Sequence, residues 1–128
     1  MADVNRGNRP LSPHLSVYRF YITMLASITN RIAGVALAGG GVLLVVWLMA
    51  AATSPSVFAF VDGLMTSILG DLVMVGMALA LWWHFFGGLR HLYWDTGRGF
   101  DLNTANRLSL YSIIAAPVMT AFTILVVM

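Results

Sequence analysis

Residues 82–95 read WWHFFGGLRHLYWD and end a long apolar run with several ionisable side chains. Four residues of this stretch are spaced i, i+4, i+7 and i+11, namely His84, Gly88, His91 and Asp95. This spacing predicts a single narrow stripe along one side of a helix. A histidine inside a membrane-spanning helix is energetically unfavourable and indicates a functional site. Gly88 lies one turn from His84 and leaves room for a flat or bulky group beside the helix.

This geometry leaves two interpretations of His84. A haem fits the space beside Gly88, and the imidazole would then be an axial ligand of the haem iron. Alternatively, His84 is a neutral histidine hydrogen-bonded to a hydroxyl group on a neighbouring helix. His91 projects from the same face about 10 Å further along the axis, so it cannot hold the same iron from the opposite side. The only other histidine, His14, lies in the polar N-terminal segment, so the haem interpretation predicts a second ligand from another polypeptide.

The composition is that of a membrane protein. Of the 128 residues, 59% are hydrophobic and only 9% are charged, whereas soluble domains carry about 25% charged residues. The chain has no cysteine, which excludes disulfides, iron–sulfur clusters and thiol nucleophiles. The net charge of +2 is scattered along the chain and does not indicate nucleic-acid binding.

Three apolar segments are each long enough to cross a bilayer, which takes about 20 helical residues. The sequence therefore predicts an all-α membrane protein with a single anchor domain over residues 1–128. Its spans are expected near residues 29–53, 69–94 and 107–128, after a cytoplasmic tail at residues 1–16. The connection between the first two spans could contain a short surface helix.

Small and hydroxyl-bearing residues share one face of the third span: Ser109, Ser112, Ala116, Thr120 and Thr123. Such faces pack against other helices, because small side chains let backbones approach and hydroxyl groups find partners there. Three helices without a soluble domain form a thin bundle whose remaining faces are apolar. We therefore expect a second anchor subunit to complete the helical bundle.

The placement of the basic residues predicts the orientation. All seven are arginines; four lie at or before the start of the first span, and three flank the loop between the second and third spans. The connection from Thr53 to Asp71 contains none. The positive-inside rule therefore places the N-terminus in the cytoplasm and the C-terminus outside, on the periplasmic side of a bacterial inner membrane.

Ser27 and Arg31 form a second candidate site. Their i, i+4 spacing places them on one side of the first helix near its cytoplasmic end. The hydroxyl and the guanidinium could hold a carbonyl oxygen of a quinone and stabilise the negative charge that it gains on reduction. Arg31 could equally pair with a haem propionate. It could also simply reach lipid phosphates, with Ser27 as a helix-start residue.

Asp95, Arg90 and His91 mark the inner end of the second span. The Asp95 carboxylate could pass protons toward a quinone, or it could belong to a solvated loop of paired charges. Arg90 and His91 could simply anchor the helix end at the membrane surface.

Three motifs resemble one family. They are RPLSPHL at residues 9–15, SITNRIAG at residues 27–34, and His84 followed by GLRHL at residues 88–92 and by Asp95. They closely resemble the cytochrome b membrane-anchor subunit of succinate dehydrogenase, and the resemblance covers nearly the whole chain. It implies a complex II subunit that works beside a flavoprotein, an iron–sulfur subunit and a second anchor. The two anchors would hold haem b and help to form the ubiquinone-reduction site, with no activity in this chain alone.

The resemblance also implies roles for single residues. His84 matches the axial ligand of the haem, and the partner anchor supplies the other ligand. Ser27 and Arg31 match the residues of the quinone pocket. Asp95 matches an aspartate linked to proton delivery. No residue of this chain is expected to be catalytic.

We expect Arg31, Asn30 and His91 to lie around the haem propionates. Asn30 departs from the family, which usually has histidine there; its amide would give a neutral hydrogen bond, and we expect haem binding to survive. The anchor of a quinol:fumarate reductase working in reverse is an alternative function. From physics alone, the chain could also be a non-haem helical transporter or an assembly scaffold. A transporter would need a polar path through the membrane, and residues 72–81 provide none.

Overall fold

The structure is a computed structural model that describes residues 18–127. It contains four helices, α1 (Ile22–Thr53), α2 (Pro55–Met65), α3 (Ile68–Asp95) and α4 (Leu102–Val127). No strand occurs within the described residues, which confirms the all-α fold. The predicted tail with His14, and residue 128, lie outside the described residues.

Helices α1, α3 and α4 are long and apolar enough to cross a membrane. The shortest of them has 26 residues and extends about 39 Å at 1.5 Å per residue, more than the ~30 Å hydrocarbon core. The predicted spans lie inside these helices as far as the structure describes them. Helix α1 starts at Ile22, ahead of the predicted span, so Ser27 and Arg31 are both helical.

Helix α2 is the short helix predicted between the first two spans. Pro55 occupies its first turn, where a missing N–H is tolerated. The indole of Trp47 in α1 donates to Asp62 Oδ1 in α2 at 3.2 Å. The Ser67 hydroxyl accepts from the Gly70 backbone N–H at 3.3 Å and caps α3. The Trp47–Asp62 hydrogen bond holds α2 against the C-terminal part of α1.

Helix α3 is the middle helix of the three spans. The indole of Trp83 donates to the Thr29 hydroxyl of α1 at 3.0 Å. The indole of its neighbour Trp82 donates to the Thr123 hydroxyl of α4 at 2.9 Å. Because lipid offers an indole N–H no partner, these bonds tie α3 to both neighbours.

The buried residues of the bundle are nearly all small. The buried apolar side chains are all alanines: Ala26, Ala33, Ala50, Ala80 and Ala116. Ser109 and Thr120 are also buried, as expected of the small-residue face of the third span. The large apolar side chains of all three spans stay mostly exposed. The outer surface of the bundle is therefore apolar and faces lipid or other subunits.

Candidate functional site

His84 lies where α3 crosses α1. Its Nδ1 is 3.1 Å from the backbone carbonyl oxygen of Asn30. A carbonyl oxygen only accepts, so Nδ1 carries a proton, and in the neutral ring Nε2 then has the free lone pair. The His84 side chain is exposed, and Nε2 has no hydrogen-bond partner within residues 18–127. A neutral imidazole fixed through Nδ1 with Nε2 free is suited to bind a metal.

Gly34 lets the imidazole lie close to α1. An ideal Cβ at Gly34 would be 3.0 Å from His84 Cε1 and 3.3 Å from Nδ1. Gly34 is also one helical turn after Asn30, so its missing side chain leaves the Asn30 carbonyl open to the ring. The glycine of the SITNRIAG motif therefore permits the hydrogen bond that orients His84.

The side chain of Asn30 fills the next contact between α1 and α3. Only 8% of the residue is exposed, and its Oδ1 is buried without a hydrogen-bond partner. A Cβ on Gly87 would collide with this amide. At Gly88, by contrast, no atom lies within 4 Å of such a Cβ. Gly87 thus makes the close contact, whereas Gly88 borders open space on the side of His84.

The other predicted quinone-site residues lie on α1. Ser27 is half-buried and Arg31 is exposed. Gly34 follows Arg31 by three positions, so both lie on one side of α1. Because the His84 ring lies against Gly34, the structure brings His84 to the face of α1 that carries Ser27 and Arg31.

Asp95 and His91 lie further toward the C-terminal end of α3. Both are exposed, and Asp95 is the last residue of the helix. The His91 ring packs edge-on against Trp94 with centroids 5.3 Å apart. At 1.5 Å per residue, Asp95 is roughly 16 Å along the axis from His84. The structure therefore separates the predicted proton donor from the imidazole.

Sequence reasoning missed the burial of Arg90. Only 4% of this residue is exposed. Its Nη1 donates to Ser109 Oγ of α4 at 3.1 Å, and its guanidinium carbon lies 5.1 Å from the centre of the Trp94 ring. Its Nε is buried without a partner. No pattern in the sequence indicated this burial, because it depends on how α3 is rotated against α4.

The fold and the site define a multi-pass helical membrane subunit with an exposed, oriented imidazole between two spans. The family model described as succinate dehydrogenase/fumarate reductase transmembrane subunit matches residues 5–126. The chain belongs to this family. Membership implies a membrane location and partner subunits in a larger complex.

Curated relatives agree with this membership. The succinate dehydrogenase cytochrome b556 subunit of Paracoccus denitrificans is 48% identical over 126 residues, which cover 98% of this chain and 97% of the relative. The protein of the same name from Rickettsia felis is 31% identical over 112 residues, 88% of this chain and 87% of the relative. The mitochondrial cytochrome b560 subunit of Sus scrofa is 36% identical over 100 residues, 74% of this chain and 57% of the relative. The resemblance to the cytochrome b membrane anchors is confirmed.

Proposed function

We propose that this chain anchors a succinate:quinone oxidoreductase in the membrane, binds haem b and forms part of its ubiquinone-reduction site. The observation that carries the proposal is the hydrogen bond from His84 to the Asn30 carbonyl, which leaves Nε2 free on an exposed surface. The family description includes fumarate reductases, but the matched relatives are named succinate dehydrogenase subunits. These names favour the direction of succinate oxidation.

The residues present fit a haem. His84 offers a neutral nitrogen, and the open space at Gly88 on the same stripe leaves room for a flat macrocycle. Residues 18–127 contain no cluster of three or more metal-binding side chains, and a porphyrin-held iron needs none. Haem b, when bound, supplies a one-electron redox centre. His84 would be the only ligand from the described part of this chain, so a second anchor subunit would supply the other.

Ser27 and Arg31 would bind ubiquinone from α1. The Ser27 hydroxyl would donate to a carbonyl oxygen of the quinone. The exposed Arg31 guanidinium would hold the same oxygen and stabilise the negative charge that electrons bring to it. Arg31 and its neighbour Asn30, with His91, would also surround the haem propionates. Only the amide nitrogen of Asn30 suits an ionised propionate, because Oδ1 is an acceptor.

Reduction of ubiquinone to ubiquinol also needs two protons. Asp95 is exposed at the inner end of α3 and is our candidate for their delivery. Asp95 lies far from His84. This distance is compatible with proton delivery, because Asp95 would give protons to the quinone and not to the imidazole.

The arginine distribution supports a cytoplasmic N-terminus and a periplasmic C-terminus in a bacterial inner membrane. The inner ends of α1 and α3 then face the cytoplasm. The iron–sulfur subunit would dock there and deliver electrons that the flavoprotein subunit takes from succinate.

The test compares two activities of the assembled complex carrying Arg31→Ala. We expect ubiquinone reduction to be lost while succinate oxidation with a soluble dye acceptor persists. Arg98→Ala, which alters an exposed loop arginine, should keep both activities. Equal ubiquinone reduction in the Arg31 variant and wild type, or equal loss of both activities in an assembled complex, would contradict the quinone role.

A further inference from the structure

Arg90 is a buried positive charge without a counter-charge in the described part of the chain. Ser109 accepts from one nitrogen, Trp94 covers one face, and Nε has no partner. No carboxylate of residues 18–127 neighbours the guanidinium. Buried charges require pairing, because their desolvation is otherwise uncompensated. The missing anion must therefore come from outside residues 18–127.

A cavity of about 300 Å³ lies beside Arg90 between α3 and α4. It is lined by Phe86, Leu89, Arg90, Tyr93, Leu108, Tyr111, Ser112 and Ala115; we call it the α3–α4 groove. Arg90 is five positions before the end of α3 at Asp95, about 8 Å along the axis. The surface of the groove is thus almost wholly apolar, and the largely buried Arg90 lies in its wall near the end of α3.

Two tyrosines also line the α3–α4 groove. Tyr93 and Tyr111 are both exposed, and such aromatic residues are enriched at the level of the lipid headgroups. Their hydroxyl groups can donate to a phosphate, and the guanidinium charge can pair with a phosphate oxygen. A ligand with an anionic head and an apolar tail fits this combination.

The groove lies on the side of α3 opposite His84. Two positions along a helix turn a side chain by about 200°. Phe86, Arg90 and Tyr93 follow His84, Gly88 and His91 by two positions each, so the two sets point in opposite directions. The second anchor approaches on the side of His84 if both subunits share the haem, a step that rests on the proposed function. The groove then faces lipid.

We propose that an anionic phospholipid binds the α3–α4 groove. Its phosphate pairs with Arg90 and accepts from Tyr93 and Tyr111, and an acyl chain occupies the apolar part beside Phe86 and Ala115. A headgroup with a net negative charge should bind more tightly than that of phosphatidylcholine, whose phosphate can also pair with Arg90 but whose quaternary ammonium leaves a net positive charge at the site.

The experiment uses the whole complex, delipidated in nonionic detergent and titrated with dioleoyl phosphatidylglycerol or dioleoyl phosphatidylcholine. Native mass spectrometry measures the bound lipid. Wild type should bind phosphatidylglycerol more tightly than phosphatidylcholine, and Arg90→Gln should weaken the tight site about tenfold, the loss expected for one charge-assisted contact. Arg98→Gln, which removes an exposed arginine of the following loop, should bind as wild type does.

A second variant keeps the proposal testable if Arg90→Gln fails to assemble. Ala115→Leu fills the groove without altering the guanidinium, and it should lose the tight site while succinate oxidation with dye and the haem spectrum remain. Equal affinity for the two lipids, or unchanged phosphatidylglycerol binding in both groove variants, would overturn the proposal. So would a partner carboxylate seated on Arg90. Absence of haem from the wild-type complex would instead overturn the proposed function, whatever amount of lipid the complex binds.

Discussion

His84 Nδ1 donates to the backbone carbonyl oxygen of Asn30 across the crossing of α3 and α1, at 3.1 Å. Because the acceptor belongs to the main chain, the bond does not depend on which side chain occupies position 30. An asparagine at position 30 is therefore compatible with the observed orientation of the imidazole. The bond depends instead on Gly34, whose missing side chain leaves the carbonyl accessible.

Substitution of Gly34 should therefore act on the imidazole. A Cβ at Gly34 would lie 3.0 Å from His84 Cε1, so Gly34→Ala should shift the ring slightly and change the midpoint potential of the haem. Gly34→Leu should displace the ring and abolish haem binding. Redox titration and haem content of the purified complex measure these effects. Gly39→Ala in the same helix, where a Cβ meets nothing within 4 Å, is the matched control; unchanged haem in Gly34→Leu would refute this role.

Gly87→Ala should destabilise the contact between α1 and α3. The added methyl group would collide with the buried amide of Asn30, and overpacking of this kind lowers stability by about 1–3 kcal/mol. Thermal unfolding of the complex measures the loss. Gly76→Ala, at an open position of α3, should not destabilise the complex. A smaller residue at position 30, in Asn30→Ser, should restore much of the stability of Gly87→Ala; no rescue would show that the collision is not the cause.

Asp101, at the start of α4, should make the stability of the folded protein depend on pH in the acid range. Its Oδ2 accepts from the Thr104 backbone N–H at 2.9 Å, and this hydrogen bond lowers the pKa of Asp101 below its ordinary value. The folded state thus favours the carboxylate. The stabilisation is present above the unfolded-state pKa, near 4, and is lost as the pH falls through the lower folded-state pKa.

The pH dependence of thermal unfolding below about pH 4 tests this contribution. In Asp101→Asn the side-chain oxygen still accepts but no longer titrates, so the variant should lose less stability than wild type over the acid range. Asp101→Ala should be less stable than both at neutral pH, because the cap is absent. An identical acid dependence in wild type and Asp101→Asn would contradict the assignment.

Hydropathy was sufficient to predict three spans, because lipid imposes a minimum length and an apolar composition on them, whereas the short connecting helix was only one possibility. The sequence could not predict that adjacent residues of the same type make different contacts. Trp82 and Trp83 are identical neighbours, yet they bond to different helices. Gly87 packs against Asn30 while Gly88 is open. The burial of Arg90 likewise depends on the rotation of α3 against α4, which tertiary packing sets.

The reduced-minus-oxidised visible spectrum of the purified complex tests the central assignment most directly, in wild type, His84→Leu and His91→Leu. We predict b-type haem bands in wild type and in His91→Leu, because we propose that His91 lies beside the haem and does not ligate the iron. The bands should be absent or strongly reduced in His84→Leu. Haem bands of undiminished intensity in an assembled His84→Leu complex, or no haem bands in wild type, would contradict the account.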